Sequence, residues 1–392
     1  MMRDVHKNVR NLSMSSAKAT LDPTLPYNEL PLLPPPAQRL ETHAVLKTCI
    51  TAARALARLQ QAAALIPNQD VLINSIPLRE AKDSSAIENI VTTNDKLFRF
   101  ANIDPAQADE ATKETLRYRT ALFAGFNDLK QRPLTTRTAV MVCRVIKNTE
   151  LDIRRLPGTV LRNPVTGETL YTPPEGEALL RDKMSNWEKF IHNFEEIDPL
   201  VRMAVGHYQF EAIHPFPDGN GRTGRIINIL FLVDKGLLDL PILYLSRYIN
   251  ENRAEYYRLL HDVTLTGAWE PWILYMLNAV ENTSNWTREK ILSTKSLMTE
   301  TVRYVSTSLP KIYSRELVEV LFTQPYCRIS DVIRLNIASR NTATKYLKEL
   351  SLIGVLEQKK EGRELFFVNK KFLQLLMDDA NEFRPYGTIQ GP

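Results

Sequence analysis

The chain has 392 residues, 44% of them hydrophobic and 24% charged, enough for two or three domains with at least one sizeable core. Its net charge of +5 permits an anionic ligand without demanding nucleic acid. Three scattered cysteines, Cys49, Cys143 and Cys327, lack CxxC spacing and argue against a zinc site or disulfide framework, and no apolar run reaches the roughly 18 residues of a membrane span, so a reducing, cytoplasmic setting is expected.

Residues 22–36 carry Pro23, Pro26, Pro31, Pro34, Pro35 and Pro36, which predicts an extended segment over the surface, with a disordered leader as the alternative for its first half. Helical periodicity follows over 41–66, and again from Leu78 into Ile90. Pro105 suits the first turn of a helix over 106–129, and another is expected over 136–148. Between Arg154 and Pro174 the character changes. Strand formers Thr159, Val160, Leu161, Thr169, Leu170 and Tyr171 flank Asn163-Pro-Val-Thr-Gly167, a β-hairpin pattern. Helices return at 175–195, 199–213, 221–235, 250–263 and 269–295. Past Thr307–Pro310, helices at 314–323, 329–335 and 339–351 precede two short strands between Gly354 and Val368. Three helices and a hairpin make the winged helix-turn-helix pattern.

The densest chemistry lies at His214-Pro-Phe-Pro-Asp-Gly-Asn-Gly-Arg-Thr-Gly-Arg225. Pro215 biases His214 away from helical dihedrals, so the imidazole is presented where a helix stops. The apolar run from Ile226 to Leu232 must be a buried helix, and the glycine-rich loop opens onto its N-terminus. Free N–H groups and the positive end of the helix dipole favour an anion there. Gly219 and Gly221 let the backbone approach phosphates. Arg222 and Arg225, three apart, can grip phosphate oxygens. Asp218 is one carboxylate, sufficient for Mg²⁺ when phosphates supply the other ligands. His214 can act as a general base. A base, a metal ligand, an anion nest and two arginines within twelve residues describe a phosphoryl- or nucleotidyl-transfer site. Walker A and kinase elements are absent from the sequence. His207, one heptad before His214, reads as a buried structural histidine or a support to the site.

The loop matches the HxFx(D/E)GNGRxxR signature of the Fic family at every fixed position, and over about residues 70–280 the chain resembles that family. The resemblance implies a mainly α fold: a helical bundle with a β-hairpin flap, here joined to the C-terminal winged helix-turn-helix unit. It implies a leader over 1–40, a helical region with an inhibitory helix over 41–104, a catalytic core over 105–296 and a C-terminal domain over 297–392. His214 would deprotonate a target hydroxyl, Phe216 would anchor the loop, and Asp218 would hold Mg²⁺. Asn220 with the backbone of Gly219 and Gly221 would meet the α-phosphate of ATP, and Arg222 and Arg225 the outer phosphates, with Thr223 and Gly224 completing the nucleotide loop. Target proteins would dock on the 154–174 hairpin by strand addition. Tyr256 and Tyr257 would line the nucleoside pocket, ordinary core packing being the alternative.

The implied activity is protein adenylyltransfer, the movement of AMP from ATP onto Ser, Thr or Tyr hydroxyls, self-modification included. Removal of AMP at the same site, a nucleotide-sensing transcription regulator and the toxin half of a toxin–antitoxin pair are the competing readings, and a homodimer stays open. Ser84-Ser-Ala-Ile-Glu88-Asn89 matches the family's [ST]xxxE[GN] inhibitory motif and implies a contact of Glu88 with Arg225. One charged hydrogen bond contributes roughly 1.5–3 kcal/mol, whereas a 1:99 to 99:1 shift needs about 5.5 kcal/mol, so one such pair would dampen activity unless Ser84 adds to it. Over residues 340–371, eight Lys or Arg face four Glu, and Arg340, Lys345, Lys348, Lys359, Lys360 and Arg363 form a modest basic face. DNA contact and protein docking both fit it, DNA being the less favoured.

Overall fold

A computed structural model of the chain describes residues 21–101, 107–162, 166–361 and 364–387. The first twenty residues of the leader, Pro105, the hairpin tip at Asn163–Val165 and Arg363 lie outside the described residues. Sixteen α-helices and five short strands are described. α1 (His43–Ala64), α2 (Asp70–Ile73), α3 (Ile76–Ile87) and α4 (Asn94–Phe100) precede α5 (Glu110–Leu129) and α6 (Thr136–Lys147). β1 (Leu161–Arg162) and β2 (Thr169–Tyr171) form an antiparallel hairpin. The central helices are α7 (Glu177–Asn193), α8 (Pro199–Ile213), α9 (Asn220–Asp234), α10 (Leu245–Glu251), α11 (Arg253–Thr266) and α12 (Trp269–Ser308).

α8 and α9 are buried nearly all round, which makes them the axis of the bundle. Pro199 occupies the first turn of α8, where its missing N–H costs nothing, and the Asp198 side chain caps Leu200 N at 2.8 Å. α12 overturns an expectation. The helix expected over 269–295 runs on to Ser308, about 60 Å at 1.5 Å per residue. Its apolar stripe continues through Ile291, Leu297, Met298 and Val305, so neither a proline nor an exposed face stops it at 295. α1 packs along this helix, and the Pro-rich segment lies across α7 and α8, held by Lys183 Nζ donating to Leu30 O and Gln209 Nε2 donating to Pro31 O.

The C-terminal unit comprises α13 (Arg315–Thr323), β3 (Tyr326–Cys327), α14 (Ile329–Arg334), α15 (Arg340–Leu352), β4 (Glu357–Glu361), β5 (Glu364–Val368) and α16 (Lys370–Met377). Its strands pair antiparallel in the order β3-β5-β4. β3 and α16 have no counterpart in the sequence reading. β3 is two residues long, and α16 is an eight-residue helix whose apolar face covers Phe322 with Phe372. α16 and the chain after it cross back to the N-terminal helices. Arg79 of α3 donates to Leu376 O at 2.8 Å, to Asp378 O at 3.0 Å and to Asp379 Oδ1 at 2.7 Å. Lys290 of α12 donates to Leu375 O at 2.6 Å and Asp378 O at 2.8 Å. The last carbonyls of α16, which have no intrahelical partner, are thus capped by two cations of the bundle.

Candidate active site

α8 ends at His214, whose backbone is left-handed with φ 51°. Arg154, 4% exposed, pins that turn: Nε donates to His214 O at 2.8 Å, a second donor reaches Pro174 O, and its own N–H donates to Pro215 O at 2.8 Å. The histidine, the loop and the hairpin base are therefore tied by one arginine, through its guanidinium and its backbone N–H. The His214 ring places Nδ1 3.3 Å from Glu211 O. A carbonyl only accepts, so Nδ1 carries the proton and Nε2 keeps its lone pair. Burial lowers the imidazole to about 4, the Arg154 cation adding to it, while the bond to Glu211 O, Glu88 and Asp218 pull the other way. The neutral, base-competent form prevails at neutral pH.

Phe216 is fully buried and anchors the loop. The Asn220 amide, expected to meet phosphate, is committed at both ends: Oδ1 accepts from Phe216 N and Nδ2 donates to Phe216 O, each at 2.8 Å. It closes the loop with one of its two Nδ2 hydrogens, so the other is not spent on Phe216. Gly219 adopts φ 84° just before α9, a conformation that needs no Cβ. Gly221 is the close-approach glycine, since a Cβ there would collide with the Glu88 carboxylate. Thr223 and Gly224 lie in the first turns of α9. Thr223 is fully buried, and a Cβ on Gly224 would meet Glu211 and Phe210, so that glycine serves the packing of α9 on α8.

Both arginines of the motif are buried, Arg222 at 2% exposure and Arg225 at 1%. Arg222 Nη1 lies 2.7 Å from Glu114 Oε1 as an ion pair without hydrogen-bond geometry, and neither its Nη1 nor its Nε has a hydrogen-bond partner among the described residues. Arg225 is held by α3 through three bonds. Nε donates to Ser84 Oγ at 2.8 Å, and Nη2 donates to Ser84 O at 2.9 Å and Glu88 Oε1 at 2.8 Å. α3 ends at Ile87, not Ile90, and Glu88 sits at its C-cap. Asn89 follows with φ 63°, the left-handed position that Gly or Asn occupies with least strain, and its side chain accepts from Arg253. Burial pushes the Glu88 carboxyl up, but the Arg225 cation beside it more than reverses this, so Glu88 is ionised.

Asp218 accepts from Gly219 N at 2.6 Å through Oδ1, and Lys147 Nζ donates to its Oδ2. Burial raises this carboxyl, and Lys147 with Gly219 N–H and Arg222 outweighs that, holding it low. Among the described residues no cluster of three or more His, Cys, Asp or Glu could cage a metal. The donor set fits a divalent ion shared between one ionised carboxylate and a ligand's phosphates.

The expected pocket tyrosines separate. Tyr257 is 45% exposed, with Arg253 over its ring. Tyr256 is 1% exposed and packed beneath, sharing a 2.8 Å hydrogen bond with His207 Nε2 and lying against Trp272. Core packing accounts for Tyr256, and a buried supporting role for His207. Beside the loop, an open cleft of about 780 Å³ runs along residues 150–160 to Pro217. Leu156 stands 80% exposed in it. Sequence reasoning missed Arg154, Lys147, Glu114 and Glu211. None is in the motif, and only their place in three dimensions marks Arg154, Lys147 and Glu114. Glu211, three residues before His214, is the one that position could have flagged; burial pushes its carboxyl up to about 7.

Three family models match the chain: Fic/DOC family N-terminal over 46–127, Fic/DOC family over 133–232, and protein adenylyltransferase SoFic-like, C-terminal domain, over 297–372. The protein adenylyltransferase fic-1 of Caenorhabditis elegans is 40% identical over 82 residues, 20% of this chain and 14% of that protein. A probable protein adenylyltransferase of Aquifex aeolicus is 43% identical over 68 residues, 17% of this chain and 20% of that protein. The chain thus spans a fifth or less of the length of these relatives. The crystal structure of a Fic family protein from Desulfovibrio desulfuricans G20 superposes with a TM-score of 0.55 at 17% identity, covering 86% of this chain and 98% of that one. This likeness concerns the fold.

Proposed function

We propose that this chain, which belongs to the Fic/DOC family, transfers AMP from ATP to hydroxyl side chains of proteins. The observation that carries the reading is the neutral His214, its Nε2 lone pair free, beside a helix N-terminus flanked by Arg222 and Arg225. A Ser, Thr or Tyr hydroxyl gives its proton to Nε2 while its oxygen attacks the α-phosphorus. The bond to the β-phosphate oxygen breaks, and pyrophosphate leaves. Backbone N–H groups of the loop take the α-phosphate oxygens, and the two arginines take the outer phosphates. Asp218 would hold Mg²⁺, which when bound spreads the developing phosphate charge.

The hairpin and its cleft are the docking place for an extended target segment, with Leu156 as an apolar contact. Tyr257 forms part of the nucleoside wall. Glu88 and Ser84 hold Arg225 away from the γ-phosphate, which makes the resting chain autoinhibited. The C-terminal unit, a winged helix, docks protein in preference to DNA. Incubation with α-labelled and γ-labelled ATP tests the reading. Protein should take up α-label with release of pyrophosphate. Uptake of γ-label would make the chain a kinase, and release of AMP from premodified protein without uptake would support hydrolytic removal of AMP by water at the same site.

A further inference from the structure

The partly exposed carboxylate of Asp218 and the buried guanidinium of Arg222 are joined through residues of two other helices. Lys147, the last residue of α6, donates to Asp218 Oδ2 and also lies 3.6 Å from Glu114 Oε1 on α5. That Glu114 oxygen is 2.7 Å from Arg222 Nη1. Charges therefore alternate along one line: Asp218, Lys147, Glu114, Arg222. Lys147 is packed on the loop as well as paired to it. A Cβ on Gly219 would meet its Cδ at 3.3 Å and its Cγ at 3.4 Å.

We propose that Lys147 is the resident counter-cation of Asp218 and passes to Glu114 when a divalent ion binds, so that this exchange sets the metal affinity of the site. The inference rests on the reading that Asp218 is the metal ligand. Nζ and a divalent ion compete for the same oxygen, and two cations on one carboxylate repel each other. A lysine stem has the rotamer freedom to swing its head between two anions already within 4 Å. Glu114 keeps the displaced ammonium paired. Arg222 occupies Glu114 at rest, and phosphates that draw Arg222 off would open Glu114 to Lys147. Phosphate binding then favours metal binding, and by linkage the reverse holds equally.

Mn²⁺ binding tests this, read by electron paramagnetic resonance of the free ion. The full chain is titrated with and without an ATP analogue carrying a methylene bridge between the α- and β-phosphorus. Lys147→Met should tighten Mn²⁺ about two- to fivefold, the scale of one partly screened ion pair. Lys147→Arg should keep the parental affinity. Glu114→Gln should act in the opposite direction, weakening Mn²⁺ severalfold because Lys147 has then only Asp218 to pair with. The double variant should follow Lys147→Met, and in both Lys147→Met chains the analogue should tighten Mn²⁺ less than in the parent. A merely structural lysine would not give opposite signs at 147 and 114. Unchanged or weaker Mn²⁺ binding in Lys147→Met, with binding still lost in Asp218→Asn, overturns the exchange and leaves Asp218 as the ligand. Parental binding in Asp218→Asn overturns the ligand assignment and the exchange together.

Discussion

Arg225 and Glu88, 137 residues apart in the chain, meet at 2.8 Å directly over Gly221, and the same guanidinium is gripped twice more by Ser84. Three bonds replace the single pair that the motif implied, so the restraint is stronger than one hydrogen bond. Glu88 is 36% exposed and its pair is partly screened, whereas Ser84 is fully buried. Glu88→Gly should raise AMP incorporation into the chain itself about 10- to 100-fold, the range of a charged hydrogen bond. Ser84→Ala should raise it less, because the Ser84 carbonyl still holds Nη2. Arg225→Ala should lose activity, since on the proposed reading the released group also binds the outer phosphates. Self-labelling with α-labelled ATP across ATP concentrations measures all three, and an inert Glu88→Gly would make α3 purely structural.

His214→Ala should lower the rate at least 10²-fold while leaving nucleotide affinity nearly unchanged, as for loss of a general base. The acid limb of the parent's pH–rate profile should lie near 4, not near the ordinary 6.5, because burial disfavours the imidazolium. Arg154→Met keeps the packing but strips donors from the carbonyls of His214 and Pro174. It should lower kcat more than it raises KM for ATP, since it disturbs the base and leaves the phosphate loop standing.

How far the site was legible depends on chain distance. Twelve consecutive residues carry the loop, and its glycines, arginines and histidine announce a phosphate site through helix-terminus physics alone. Within that loop, the sequence could not show that Asn220 spends both amide ends on Phe216, or that Gly224 serves α8. Those roles depend on which face of α9 meets α8. Arg154, Lys147 and Glu114 were invisible because each is an ordinary charged residue until the bundle brings it to the loop. The fold was read well where apolar positions recur on one helix face, as in α6, buried along Ala139, Val142, Cys143 and Ile146. It was cut short at 295, where α12 keeps its stripe with mixed Thr, Ser and Lys between apolar positions.

Four buried groups set the pH dependence of stability. Burial holds His207 at about 3 and His214 at about 4, below their unfolded value, so their contribution is present above about pH 6.5 and lost as pH falls. Burial pushes Glu80 and Glu211 up to about 7, so theirs is present below about pH 4.5 and lost as pH rises. The two pairs oppose each other, and the unfolding free energy should change little between about pH 4.5 and 6.5. Glu80→Gln leaves two histidines against one glutamate, and stability should then rise with pH across that window, by up to about 1.4 kcal/mol per pH unit. Urea titrations at several pH values read the slope directly, and a flat curve for the variant would contradict these shifts.

Arg340, Lys345, Lys348, Lys359 and Lys360 all stand exposed, and Lys345 is paired with Glu349 at 3.8 Å. A face this lightly charged should bind duplex DNA only in the non-specific range, about 10⁻⁴–10⁻⁶ M near physiological salt. Titration of the full chain with labelled duplexes at two salt concentrations checks this. Tight binding with a steep salt slope would reassign the unit to DNA.

Arg79 links the last helix of the chain to the helix that restrains Arg225. Its three acceptors are two end-of-helix carbonyls of α16 and the Asp379 carboxylate, and its plane lies 4.9 Å over the Trp286 ring. Lys290 caps the same turn of α16 from α12, and among the described residues none of its hydrogen bonds goes to α3. The two cations therefore perform the same service for α16 and differ in what else they hold. Arg79→Met loses both the caps and the guanidinium that stacks on Trp286. It should destabilise the chain by about 1.5–3 kcal/mol and loosen α3 as well. Lys290→Met should cost a similar amount and leave α3 in place. Self-labelling should then rise a few-fold in Arg79→Met and stay at the parental level in Lys290→Met, at matched thermal stability. Equal labelling in the two variants would mean that α16 steadies the bundle without reaching the Arg225–Glu88 contact.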